Sequence, residues 1–134
     1  MAQQANIVLN DGSATPVART FVPFVPYGGP SQAAVWILKV GVAPIAYPRI
    51  EIGMKRTSNG SNKISCRIIV PNVTNDAVAG PKLASQALFD TNSGGFVIPD
   101  VSTDQQRADL HAFTKNLLAS GVMQSWVRDI EAAY

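Results

Sequence analysis

The chain has 134 residues, 46% of them hydrophobic and only 15% charged, with one cysteine, one histidine and a formal net charge of +2. That length supplies one core and no second domain, and a lone cysteine, Cys66, excludes an internal disulfide and a cysteine-rich zinc site. A charge content well under the roughly 25% of ordinary soluble domains fits burial in an oligomer, and fits equally a compact monomer with a Ser/Thr/Asn/Gln surface.

The amino end, MAQQANIVLNDG, has no basic segment leading into a long apolar stretch, and no window approaches 18 apolar residues. Neither export nor a membrane partner is expected, and expression in a cytoplasm is the default. The next stretch, NIVLNDGSATPVARTFVP, gives an apolar run, a turn at Asn10-Asp11-Gly12 and a second run ending at Pro23, which predicts a hairpin within 1–23. Pro23, Pro26, Gly28, Gly29 and Pro30 then predict an irregular crossing before a strand resumes around Trp36. After a break at GVAPIAYP, strands are expected over 49–57 and 61–70, a loop over 71–82, and one or two strands within 83–99, so that the main sheet occupies 31–99.

From residue 102 the period changes. Ser102, Thr103 and Asp104 are candidate N-caps, and Gln105 and Gln106 are placed to close a capping box. Leu110, Phe113, Leu117 and Leu118 recur at helical spacing, predicting a helix over about 103–119. Gly121 is a candidate C-cap, and Met123, Trp126, Val127 and Ile130 define one face of a second, shorter helix within 102–134. The class is α+β: an antiparallel sheet whose helices can cover only one face.

The stretch from 49 to 67 concentrates the positive charge, with Arg49, Lys55, Arg56, Lys63 and Arg67 against Glu51 alone. Its strands alternate, with Arg49, Glu51, Gly53, Lys55, Lys63, Ser65 and Arg67 on one face and Ile50, Ile52, Met54, Ile64, Cys66 and Ile68 on the other. A two-residue Asn59-Gly60 turn would mix these faces. A three-residue loop, Ser58-Asn59-Gly60, closing on Thr57 and Ser61, sets Lys55 opposite Lys63, Gly53 opposite Ser65 and Glu51 opposite Arg67, with Gly60 in the left-handed bulge position. Directly opposed lysines repel, and the hydroxyl and glycine residues around them suit a phosphate backbone. Nucleic acid is preferred here over simple solvation of a charged face.

Catalysis finds little footing. His111 sits alone in the helical pattern, Asp104 and Asp109 fall on different helix faces, and nothing has the spacing of a nucleophile elbow, a phosphate loop, a metal site or a cofactor-binding motif. A non-enzymatic role with no metal and no cofactor is expected.

The segments quoted above, with STDQQRADLHAFTKNLLASGVMQSWVRDIEAAY, AAVWI and RIEIGMKRTSNGSNKISCRIIVPNV, stand in an order that resembles the coat proteins of small single-stranded RNA bacteriophages, nearly end to end. The resemblance implies an amino-terminal hairpin plus a five-stranded antiparallel sheet. It implies two carboxyl-terminal helices packed on the partner's sheet in an interlocked homodimer, with Leu110, Phe113, Leu117, Trp126 and Ile130 at the dimer interface. The dimers would build an icosahedral virion shell in the bacterial host cytoplasm, with the bare sheet face on genomic RNA and on an RNA hairpin that represses replicase translation. By position, Glu51, Gly53, Ser65 and Arg67 fall where the family lines a base pocket, and Thr57, Ser58, Ser61 and Lys63 where it meets RNA near the hairpin end. Arg49 and Lys55 join this RNA-binding set. Thr91 stands where the family commonly has a stacking tyrosine, with Ser93 at the neighbouring contact. Phe89 would take the tyrosine's part if the register shifts. The 72–82 loop lacks the cysteines that cross-link some relatives, which implies a shell held without disulfides. The alternative is a dimeric RNA-binding regulator that forms no shell.

Overall fold

The computed structural model describes residues 4–29, 31–40, 44–78, 80–92 and 94–130. Among the described residues seven strands run antiparallel in chain order: β1 (Ile7–Asn10), β2 (Ala18–Val25), β3 (Ala34–Ile37), β4 (Arg49–Arg56), β5 (Asn62–Asp76), β6 (Gly80–Asp90) and β7 (Gly95–Val97). Two helices follow, α1 (Asp104–Leu118) and α2 (Gly121–Val127). This is the expected α+β order of a hairpin, five strands and two helices.

Three local expectations change. Strand β2 runs through Pro23 to Val25, because Pro23 sits at a register shift against β3, where a missing N–H is tolerated. The expected 71–82 loop is mostly strand. Pairing of β4 with β5 stops at Arg49↔Ile69, so Pro71 lies where one edge of β5 is already free, and β5 and β6 pair as far as Asp76↔Gly80. Gly121 is not a C-cap: Ser120 caps α2, its hydroxyl accepting from the Met123 N–H at 3.5 Å, and Gly121 is the first residue of that helix. Ile130 lies beyond α2 with φ +53°.

The capping box at α1 forms as its sequence predicts. Thr103 Oγ1 accepts from Gln106 N at 3.1 Å, and Gln106 Oε1 accepts from Thr103 N at 3.4 Å. Gln106 then does more: buried, it donates from Nε2 to Val70 O at 2.8 Å, tying the start of α1 to β5. The other end of α1 is tied to the hairpin, where Asn116 Nδ2 donates to Asn10 O at 3.1 Å and Gly12 N donates to Asp109 Oδ1 at 3.0 Å. In a flat sheet β1 and β5 would lie about 19 Å apart at roughly 4.8 Å per strand, wider than a helix of about 10 Å. The sheet therefore curls around α1.

The apolar face of that curl closes on Leu110, Phe113 and Leu117 from α1 and Met123 and Trp126 from α2. Phe21 and Phe113 meet edge to face at 5.2 Å, and Tyr27 meets Trp126 in the same way at 5.5 Å. Both helices lie on this face of the sheet. In this chain they cover their own sheet, and Leu110, Phe113, Leu117 and Trp126 are at most 2% exposed within the chain's own core. The apolar stripe of α1 meets the apolar face of strands β1 to β6. Each such buried side chain contributes about 1.5–3 kcal/mol. Of the five expected interface residues, Ile130 alone stays exposed.

The amino-terminal turn is built on Asp11. Its carboxylate accepts from Ser13 Oγ at 2.6 Å, Ser13 N at 3.2 Å, Val17 N at 3.1 Å and Arg19 Nε at 3.1 Å. The Ser13 hydroxyl first, then the Val17 N–H, hold its pKa far below the usual carboxylate range against the opposing effect of burial. The folded carboxyl is thus more acidic than the unfolded one, so its stabilisation is complete above about pH 4 and is lost as pH falls further. Asp11→Asn should cost about 1–3 kcal/mol near neutrality, and urea melts should show the gap from the parent narrowing on acidification; a constant gap down to about pH 2 contradicts this.

Gly12 allows α1 to dock. A Cβ there would sit 2.3 Å from the Ala108 carbonyl carbon and oxygen, whereas one at Gly121 meets nothing within 4 Å. Gly12→Ala should therefore cost about 1–3 kcal/mol or more in the urea midpoint, with Gly121→Ala close to neutral; equal effects would place α1 away from the hairpin.

Candidate nucleic-acid interface

The face opposite the helices has an apolar end and a polar end. At the apolar end Ile37 and Ile69 are buried on the side away from the main core. They line a groove of about 700 Å³ with Val35, Pro44, Ile45 and Tyr47, where the 3₁₀ turn Pro44–Ala46 lies against this face. Composition gave no hint of this second apolar cluster, because its residues alternate with core residues on the same strands.

The polar end is the β4–β5 hairpin, and its register is the one the face-matching argument requires: Lys55↔Lys63, Gly53↔Ser65 and Glu51↔Arg67. The three-residue loop closes through Thr57 N to Ser61 O at 2.7 Å and Gly60 N to Thr57 O at 3.1 Å, with Gly60 at φ +86°. Thr57 Oγ1 accepts from Ser61 N at 3.1 Å and also bonds the Asn59 side chain, so this hydroxyl braces the loop. Ser58 and Ser61 are exposed. Lys55 and Lys63 are exposed side by side, and neither forms an ion pair among the described residues.

The other charges are balanced locally. Arg49 Nε lies 3.8 Å from Glu51 Oε2, and Arg67 Nε lies 3.7 Å from Asp90 Oδ2. Arg67 stands between Glu51 on β4 and Asp90 on β6, so it is less available to phosphate than its charge alone suggests. Arg56 falls out of the alternation that carries Lys55 and is absent from the patch. On the centre of this face four cations (Arg49, Lys55, Lys63, Arg67) meet two carboxylates (Glu51, Asp90), leaving an excess of two.

Glu51, Gly53, Ser65 and Arg67 do come together, around a recess of about 180 Å³ completed by Asp90 and Asn92. Beside it a second recess of about 340 Å³ is lined by Gly53, Lys55, Lys63, Ser65 and Asn92. Sequence reasoning missed Asp90 and Asn92. The signal that would have found Asp90 is the β5–β6 register, which a shift between Asn72 and Val73 conceals.

Thr91 is exposed, but its hydroxyl accepts from Cys66 N at 3.2 Å and so extends the β5–β6 ladder past the end of β6. Ser93 lies outside the described residues. Phe89 cannot substitute for an aromatic platform on this face: it pairs with Ile68, which is fully buried beneath the helices, and packs on Phe96 at 4.9 Å. Cys66 is buried, and desolvation first, then the Asp90 charge, push its thiol pKa up. Among the described residues no group of His, Cys, Asp and Glu is arranged to hold a metal, and no helix is long and apolar enough to cross a membrane.

With this geometry in place, the chain can be set beside known proteins. The family model described as levivirus coat protein matches residues 2–134. A capsid protein of Pseudomonas phage PRR1 is 37% identical over 79 residues, covering 59% of this chain and 57% of that protein. The chain thus aligns with somewhat over half the length of that relative. The virus-like particle of bacteriophage NT-214 superposes with a TM-score of 0.60 at 32% identity, over 99% of this chain and 100% of the other. The virus-like particle of bacteriophage ESE058 shares the fold, with a TM-score of 0.53 at 21% identity over 98% and 99% of the two chains.

The unpaired lysines should lower stability. Lys63→Glu turns a cross-strand repulsion into an attraction and should raise the unfolding free energy by about 0.2–1 kcal/mol, measured by urea melts at low salt. An unchanged or lower midpoint would mean that the two ammonium groups do not sense each other.

Proposed function

This chain belongs to the levivirus coat protein family, and from that premise we propose that its copies self-assemble into a closed icosahedral shell, with the bare sheet face turned inward onto packaged single-stranded RNA. The observation that carries the reading is the division of labour across the sheet. Helices and hairpin pack over one face, while the other presents Lys55 and Lys63 uncompensated among small hydroxyl residues, where a polyanion lowers their mutual repulsion. The role is structural; the assembled state is the virion, formed in the cytoplasm of the bacterial host.

The first assembly step is a homodimer joined edge to edge. Strand β7 has a single partner, β6, among the described strands, and Phe96, Val97 and Ile98 on and beside it are exposed. An unpaired edge flanked by apolar side chains is a template for a second copy. Val127 and Ile130, exposed on the helical layer, add to that contact. Leu110, Phe113, Leu117 and Trp126 serve the dimer by holding the helices to the sheet. Repression of replicase translation through an RNA hairpin is a finer role of the same face, and with Thr91 bound to the backbone any specific recognition falls to the recesses around Gly53 rather than to base stacking.

Negative-stain electron microscopy of the purified recombinant protein should show uniform spheres. Soluble dimers across all ionic conditions would instead favour the regulator that forms no shell.

Replacing Lys55 and Lys63 together by Gln should lower the RNA content of the particles and reduce the slope of log K against log salt by up to about 2. Unchanged slope and RNA content would locate the contacts elsewhere.

A further inference from the structure

The groove of about 700 Å³ at the apolar end of the bare face has the size and make-up of a small-ligand site, with apolar walls and few polar groups. Its floor includes Ile37 and Ile69, buried on the side away from the main core. Its lining also includes Phe24 and Ile45, which are 64% and 45% exposed. Large apolar side chains left in water gain free energy when an apolar ligand covers them.

Two polar groups gather at one end of the groove. Ile37 pairs with Arg49, and the Leu38 N–H donates to the Pro48 carbonyl at 2.9 Å. The same register therefore continues and sets Lys39 opposite Tyr47, with both residues lining the groove. Neither the Lys39 ammonium nor the Tyr47 hydroxyl has a hydrogen bond or ion pair among the described residues. The lining carries Lys39, Arg49 and Arg67 against Glu51. Arg49 faces Glu51 at 3.8 Å and Arg67 faces Asp90 at 3.7 Å, so Lys39 is the uncompensated charge. Two open donors at the end of an apolar trough match an anionic head on an apolar tail. We propose that this groove binds a single-chain amphipathic anion, a fatty acid carboxylate, with its head on Lys39 and Tyr47 and its chain along Ile37, Ile69, Phe24 and Ile45.

The chemistry narrows the class. A phosphodiester backbone carries charge but no chain to cover apolar walls, and a neutral alcohol or glyceride leaves the Lys39 charge unpaired. A carboxylate accepts from both donors at once, because its two oxygens offer separate lone pairs. A flexible alkyl chain can follow an open trough, and each methylene it buries adds to the binding. The groove also stands apart from the basic tip of the hairpin: Lys55 lies roughly 20 Å along β4 from Arg49, so this inference does not depend on the reading of the tip as an RNA contact.

The test is isothermal titration calorimetry of the full chain, freed of RNA, at neutral pH and below the micelle threshold, with sodium octanoate, sodium decanoate, decanol and decyltrimethylammonium as probes. Decanoate should bind about 15-fold more tightly than octanoate for its two further methylenes. Decanol should bind about fivefold more weakly than decanoate, the strength of an exposed ion pair, and decyltrimethylammonium should give no signal. Lys39→Gln should lower decanoate affinity about fivefold and remove its advantage over decanol. Ile45→Asp changes an exposed position and spares the core, and it should lower decanoate affinity about tenfold or more. Circular dichroism melts check that both variants fold. No decanoate binding, binding unchanged by both variants, or equal binding of decanol and decanoate overturns the proposal. Decanoate affinity that falls as protein concentration rises assigns the groove to a second copy of this chain and overturns it as well.

Discussion

Everything in this fold follows from one helix holding a curled sheet by two of its strands. Gln106 reaches from the first turn of α1 to the Val70 carbonyl on β5, while Gly12 and Asn10 on the hairpin meet Asp109 and Asn116 further along the same helix. The flat-sheet distance between those anchors exceeds the width of a helix, so the two sets of bonds can coexist only if the sheet bends. Bending brings Phe21, Trp36, Ile50, Ile52 and Ile68 around Leu110, Phe113 and Leu117, and this burial stabilises the chain. The polar anchors themselves add little net energy, but they fix which way the sheet curves.

Because the helices saturate one face, the other is left to small local devices. The 3₁₀ turn at Pro44–Ala46 lies over Ile37 and Ile69 at one end. At the other end nothing covers the hairpin, and its charges arrange themselves by cross-strand pairing: Arg67 between Glu51 and Asp90, Arg49 beside Glu51, and the two lysines beside each other. The same alternation that sends isoleucines into the core therefore produces a mixed acid–base centre and a purely basic tip. A polyanion would meet the tip first.

Much of the candidate site was legible in the sequence because hairpin register is a short-range problem. Matching faces across Ser58-Asn59-Gly60 leaves one pairing, and β4 and β5 adopt it from Arg56↔Asn62 to Arg49↔Ile69. The β5–β6 pair resisted the same treatment. Counting from its turn, where Asp76 faces Gly80, would put Phe89 opposite Arg67; one extra residue in β6 at the shift near Asn72 moves the count and puts Asp90 there. A bulge leaves no clear mark in an alternating pattern, so Asp90 and Asn92 escaped notice, and so did the binding of Thr91 to the Cys66 backbone. The prolines misled in a related way: Pro23 and Pro71 read as breaks, yet each occupies a strand position where its missing N–H has no partner to lose.

The sequence by itself determined the elements and their faces: the Thr103–Gln106 cap, the helical stripe of Leu110, Phe113 and Leu117, the left-handed Gly60, and the concentration of cations between 49 and 67. These depend on bond rotations and neighbours within a few residues, which one strand of text contains. Only the tertiary structure decided where the helical stripe would be spent, covering the chain's own sheet, and which carboxylates would reach Arg67. Those outcomes depend on contacts between residues far apart in the chain, where an inserted residue or a two-ended anchor changes the partner without changing the local pattern.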